Sequence, residues 1–364
     1  AIGCESLDVL TTGSHNTGLG KAALGGLTTA SNNTAVGSGA AGSTTTGTDI
    51  TAIGRSALNT NTTGIDLTAV GSGALASNTT ANNNTAIGKD SLNANTTGHS
   101  NVGLGKQSLQ VNTTGDSNTS VGSFTLYANT TGNSNTALGR SALEGNTTAD
   151  YNTAIGNYCL KYNTTGAYNT AVGNEALEQN VTGGQCAAFG FKSLEANLQS
   201  NNTAFGAYSA ALTTTGGSNT AVGQASLYTN TTGTNNTAIG LKALYLSTTS
   251  SNNTAVGKDA LYSNTTGTQN TAIGSLSLDA ATTADDNAAV GYQALSATTT
   301  GSYNTAVGKN AMVNNTTGGL NVAVGVNAMA NVTTANHNVA VGANTSNQNV
   351  TGSHNVAVGS YTLQ

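Results

Sequence analysis

Apolar and polar residues recur along this chain on a fixed beat. A small residue, a branched aliphatic and a glycine come first, and a leucine follows four residues after the glycine. A polar Asn-Thr-Thr-Gly run then closes the cycle. In Asn135–Tyr151 the unit reads N-T-A-L-G-R-S-A-L-E-G-N-T-T-A-D-Y, and Asn152 opens the next copy. Taking the glycine after the aliphatic as reference, 22 copies run from Gly3 to Gly359. All are spaced by 17 residues except for one step of 16, between Gly190 and Gly206. A period of this size, held this strictly, predicts a solenoid whose coils stack on one another, a single continuous array over 1–364.

Position by position, the pattern predicts short strands and turns. The residue before the glycine is apolar in all 22 copies, and the one before that is Ala in 19 of them, otherwise Gly18, Gly103 or Ser120. Successive strand side chains point to opposite faces. The larger aliphatic is therefore expected to face the core, leaving a face of small residues, as at Ala137, Gly139, Ala154, Gly156, Ala171 and Gly173. Such a bare face allows another chain to approach closely. The Leu (Met in Met312 and Met329) is expected to anchor a second strand opposite the first, giving a two-sided β-roll. The N-T-T-G run reads as a turn, with Asn and Thr stacked in ladders along the axis. Two large apolar residues are little burial with which to order 17, so the small-residue face is expected to join copies of the chain.

Composition sharpens this reading. Charged residues are 7% of the chain, aromatics 4%, and proline and tryptophan are absent, whereas disordered chains are rich in charge and proline. Proline's absence suits a chain whose N–H groups donate to neighbouring coils. Seven of the ten basic residues (Lys21, Arg55, Lys89, Lys106, Arg140, Lys258, Lys309) share the slot directly after the glycine, and no charge enters the apolar strand. A net charge of −5, dispersed along the array, does not suggest a nucleic-acid partner. There is no apolar run long enough to span a membrane and no secretion signal at the start. Both ends fall inside a copy without an atypical capping coil, which predicts a segment of a longer array.

The late copies Asn321-Val322-Ala323-Val324-Gly325, Asn338-Val339-Ala340-Val341-Gly342 and Asn355-Val356-Ala357-Val358-Gly359 resemble a known pattern. It is the [NS]-V-A-[VI]-G motif of YadA-like heads of trimeric autotransporter adhesins. The fuller N-T-A-[VI]-G…N-T-T-G form is similar to arrays in phage tail-fibre-like and bacterial surface fibre proteins. The resemblance covers the whole chain but departs in period, because the adhesin heads commonly use shorter repeats without the N-T-T-G turn. It implies a homotrimeric extracellular fibre used for attachment or spacing. The Val-Gly-x-x-Ala-Leu spacing also matches the hexapeptide motif of three-sided helices, but Glu144 and Asp150 occupy places where such a coil wants small or aliphatic residues.

Few residues stand out as candidate chemistry. Cys4, Cys159 and Cys186 lie in three different slots without metal spacing and read as incidental small residues, or as a bridge between chains. His15, His99, His337 and His354 lie in the turn before the strand. His337 and His354 share a slot in adjacent copies, where they would need a third ligand to hold a metal. Tyr228, Tyr245 and Tyr262 share one slot in three consecutive copies, and Tyr151 and Tyr168 make a shorter pair. Such rows stack on one another or bind sugar rings. Asn-x-Thr sequons recur because the repeat requires them, so they carry little information on glycosylation. There is no Ser-His-Asp constellation and no phosphate loop, and the sequence reads as non-enzymatic, with no cofactor and no metal.

The expectation is therefore an all-β parallel solenoid of 22 coils, on the order of 100 Å long, associating as a trimer. Its role would be structural: an adhesin head or shaft, a surface filament, or a tail-fibre shaft. It would lie outside the cell, on the cell surface or on a virion, with other copies and a host-surface or glycan receptor as partners. The alternatives are a filament assembled head to tail, an ice-binding solenoid, or a carbohydrate-binding rod. The ice-binding reading is opposed by the adjacent, rather than alternate, placing of the Thr pair.

Overall fold

Each copy lays down one short strand. In the computed structural model, which describes residues 1–363, there are 21 strands and, among the described residues, no helix. The chain divides into two compact units, 1–185 and 186 onwards. The first holds β1 (Thr17–Leu19) to β10 (Thr170–Val172), the second β11 (Ala187–Phe189) to β21 (Val356–Val358). Within each unit every strand pairs in parallel with the equivalent strand one copy on: Thr136 lies beside Thr153, Ala137 beside Ala154 and Leu138 beside Ile155. The first copy contributes only an isolated bridge, Ile2 to Leu19. Each unit is thus a parallel β-solenoid of one sheet.

Two expectations about the coil are corrected. The Leu slot carries no second strand, because it sits in a run of turns with left-handed backbone, as at Ser141 (φ 55°) and Leu143 (φ 51°). Left-handed conformation costs a non-glycine residue roughly 1–2 kcal/mol. Here it recurs because it aims N–H groups at adjacent coils: Ser141 donates back to Ser123 O at 3.0 Å, and Leu143 forward to Cys159 O at 3.0 Å. Each coil thereby bonds to both neighbours outside the strands as well as within them, and few buried backbone groups are left unpaired.

The second correction reverses the faces of the strand. Ala137, Ala154 and Ala171 are wholly buried inside the coil, whereas Leu138 and Ile155 point outward, 47% and 37% exposed. Volume decides this. The interior of this coil already holds Leu143, Asn135 and Asn146 fully buried, with Ala137 and Ala142 beside them, and has no room for a further aliphatic. The aliphatic row must then lie outside. Gly139 is not a bare patch for a second chain either. Its φ is 129°, and a Cβ there would stand 2.5 Å from the carbonyl oxygen of Gly156 in the next coil. That glycine is the seat on which the neighbouring coil rests.

The remaining interior is polar and, along most of its length, paired. On the strand side, Asn135 donates its side-chain amide to Ala149 O at 2.9 Å. Its own backbone N–H donates to Asn118 Oδ1 at 3.0 Å, and its Oδ1 accepts from Asn152 N at 2.9 Å. On the turn side, Asn146 donates to Asn129 Oδ1 at 2.9 Å and to Ala149 O at 3.1 Å. Both asparagines are fully buried. Burying an amide costs free energy unless its hydrogen bonds are replaced, and in-register copies supply a partner of the right chemistry one coil away. The strand-side column changes to Ile50 and Leu67, which replace Asn in adjacent copies and lie side by side, each about 1% exposed, and to the buried Cys186.

Candidate functional site

With the interior absorbed by the fold, function is left to the outer faces. The strand face is the most regular. Thr136 and Leu138 flank the inward Ala137, and the same Thr-x-aliphatic pair recurs one strand spacing away in most copies. Exposed members include Leu19, Ile53, Ile87 and Leu104 in the first unit, and Phe205, Ile239, Ile273 and Val307 in the second. Phe189 and Phe205 continue the row with rings stacked at 4.5 Å, nearly parallel. No strand contains a charged residue. Each unit therefore carries one ridged strand face without charge. Sequence reasoning missed this face by turning the aliphatics inward, although the alternation of Thr and Val about Ala was visible in it.

The Asn-Thr-Thr corner is mostly structural. Thr147 Oγ1 donates to Thr164 O at 3.1 Å, and the same bond joins successive copies. The second threonine, Thr148, is exposed. The sequon asparagine Asn146 is buried with its amide nitrogen donating twice, so folded coils offer it to no glycosyl carrier.

The small-residue face expected from sequence is not on the surface. Ala137, Ala154 and Ala171 lie in the interior, and Gly139, Gly156 and Gly173 are coil-stacking positions. The cysteines separate likewise. Cys4 is exposed. Cys159 occupies an interior slot and contacts Ala171 O at 3.2 Å; burial pushes its thiol pKa up to about 12. Cys186, in the strand-side asparagine slot, contacts Gln199 O at 3.2 Å, and burial raises its pKa too. Neither buried thiol is placed to bridge two chains.

The aromatic rows do form. Tyr228, Tyr245 and Tyr262 stack with centroids 5.4 and 5.2 Å apart and planes within 9°. Tyr208 meets Tyr228 edge-on at 6.2 Å, and Phe191 meets Tyr208 edge-on at 5.1 Å, so five consecutive copies carry aromatics on one flank. In the first unit Tyr151 and Tyr168 stack at 5.1 Å. His337 and His354 stack at 4.8 Å. At the end of the long row lies a shallow cleft of about 320 Å³, lined by Lys242, Asp259, Tyr262, Leu276 and Asp279. Asp279 accepts a hydrogen bond from Ser296 Oγ at 2.6 Å, and burial raises its carboxyl pKa above the ordinary range.

Among the described residues, no helix is long and apolar enough to cross a membrane. No protein-family model matches the chain, and no curated protein matches it. The functional reading therefore rests on the surfaces themselves.

Proposed function

We propose that the chain is a structural fibre protein, acting outside the cell or on a virion, whose copies associate side by side through the Thr-x-aliphatic strand face. The observation that carries this reading is the uncharged row of half-exposed Val, Ile, Leu and Phe along each unit. Exposed apolar surface of that extent marks an interaction site. Sheets pack face to face through rows of this kind, about 10 Å apart. The resemblance to trimeric fibre heads fits the same face, in place of the small-residue face expected from sequence. Reach and stiffness come from the repeated coil and attachment from whatever the fibre displays; no catalytic role is proposed.

Light scattering after gel filtration tests the association. A mass of three chains is expected, falling to one chain when Ile155 and Ile239 are both changed to Lys. A monomeric wild type overturns the reading, and a broad distribution of larger masses replaces it with head-to-tail filament growth.

A second reading is favoured by one observation. In most strands the outward Thr and aliphatic alternate about a buried Ala and repeat at the strand spacing, so hydroxyls and methyls form a regular lattice. The objection drawn from the adjacent Thr pair of the turn does not touch these strand threonines. Such a lattice suits ordered water, and thermal hysteresis by a monomeric chain would select ice binding over the fibre.

A further inference from the structure

In a strict repeat, whatever the coil requires is present in every copy, and whatever breaks the pattern is free to serve something else. The Tyr row is such a break. Its slot holds Glu144 in one copy and Glu178 in another, with the same coil around it. Within the row each ring covers its neighbour, so Tyr228 and Tyr245 offer little open face. The row stops at Tyr262 because the next copy has Asp279 in the slot, and the cleft opens there.

We propose that this cleft, formed by Lys242, Asp259, Tyr262, Leu276 and Asp279, binds a neutral saccharide. A pyranose ring has an apolar C–H face bordered by hydroxyls. The C–H face would lie on the uncovered side of Tyr262 with Leu276 beside it. The hydroxyls would donate to the carboxylates of Asp259 and Asp279, and Lys242 would donate to a hydroxyl or ring oxygen. Small-ligand sites combine an apolar floor with a few convergent polar groups in this way.

The surroundings select the class of sugar. Lys258 lies 3.5 Å from Asp259, and Lys242 stands 5.5 Å from the Tyr245 ring centre, so two ammonium groups balance two carboxylates. An acidic sugar would add a third negative charge beside Asp259 and Asp279, whose charges Lys258 and Lys242 already balance. The hydrogen bond from Ser296 orients Asp279 from outside the cleft. A cleft of this volume lies at the small end for ligand sites, suited to one or two sugar units of a longer chain.

The test is isothermal titration of the full chain with cello-, manno- and galacto-oligosaccharides. Binding by at least one of them is expected. Tyr262→Ala should weaken it about tenfold or more, a loss of roughly 1.4 kcal/mol, while Tyr262→Trp keeps it. Asp279→Asn should weaken it less, because the amide oxygen still accepts. Tyr151→Ala, on the other unit, should leave it unchanged. Circular dichroism and solution mass identical to wild type confirm that each variant folds and associates normally. The proposal therefore stands or falls apart from the fibre reading. Absence of binding to all three series, or binding indifferent to Tyr262→Ala, overturns it.

Discussion

The turn-side asparagine column is built on the same slot in both units and has different fates in them. In the first unit it runs unbroken from Asn61 to Asn180, with each amide donating to the asparagine of the copy before at 2.8–3.2 Å. In the second, the slot reads Asn197, Thr213, Asn230, Ser247, Asn264, Ala281, Thr298, Asn315, Val332, Asn349. Thr213 Oγ1 has no partner there, and neither have three buried amide acceptors, Oδ1 of Asn230, Asn264 and Asn315. Each of these asparagines is followed one copy later by a residue without an amide: Ser247, Ala281 and Val332. A buried amide column is therefore a cooperative object, in which one substitution orphans a neighbour 17 residues away. The strand-side column avoids this fate. Its Oδ1 accepts a backbone N–H, which every residue type but proline supplies, and it runs from Asn202 to Asn355 in the second unit.

The substitution with the largest expected effect should be blind to this contrast. Gly139→Val and Gly257→Val, one in each unit, both put a side chain against the backbone of the next coil at positive φ. Each should cost more than about 4 kcal/mol by urea unfolding. Equal losses would show that backbone stacking is common ground. Next comes the contrast itself. Asn129→Ala leaves Asn112 Oδ1 without its donor and should cost about 2–3 kcal/mol, whereas Asn264→Ala removes an oxygen already unpaired and should cost about 1. Amide hydrogen exchange in the flanking coils reads both, and equal costs would break the comparison. Ala281→Asn should then repair the second unit, returning a donor to Asn264 Oδ1 and raising stability by about 1 kcal/mol; a loss would mean that the slot has closed around Ala.

The smallest effect concerns pH. Cys159 has its pKa raised from 9.0 to about 12 by burial, so the folded thiol stays neutral where the unfolded one ionises. Stability is then undiminished well below pH 9 and is lost as pH rises through 9 towards 12, by less than about 1 kcal/mol at pH 9. Cys159→Ala, which restores the usual residue of that slot, should remove this slope in a pH series of melting curves. Native thiol labelling should proceed in the order Cys4, Cys186, Cys159, because Cys4 is exposed and Cys159 is the more deeply buried of the other two.

Much of the coil was legible because the repeat fixes register: parallel in-register strands, the Asn-Thr-Thr corner and the stacked Tyr228, Tyr245 and Tyr262 all follow from the 17-residue beat. Facing was not. In Thr136-Ala137-Leu138, hydrophobicity argues for Leu inside and volume for Ala inside, and only the width of the closed coil decides between them. The buried asparagines were equally opaque, since polarity places them at the surface unless a copy of the same residue waits one coil away. A signal did exist. Ile50, Leu67, Leu27 and Val332 replace Asn at the two column slots, and apolar residues intrude on a polar position when that position is indoors. The saccharide cleft was half visible, as an aromatic row, and half hidden, because Asp259 and Asp279 meet only after 20 residues of chain have closed the coil.

The step of 16 carries one more consequence. The missing residue falls in the corner after Asn197, where Leu198-Gln199-Ser200-Asn201 stands for the usual Thr-Thr-Gly and its two followers. Asn202 nevertheless still reaches Gly216 O at 2.8 Å, and Phe189 still faces Phe205 in register. Unequal recombination between copies can therefore lengthen or shorten the gene by whole coils without a scar, while this corner absorbs the occasional imperfect join. Length becomes a trait that selection can adjust one coil at a time, and the same corner is where a foreign loop can be spliced in without disturbing the count.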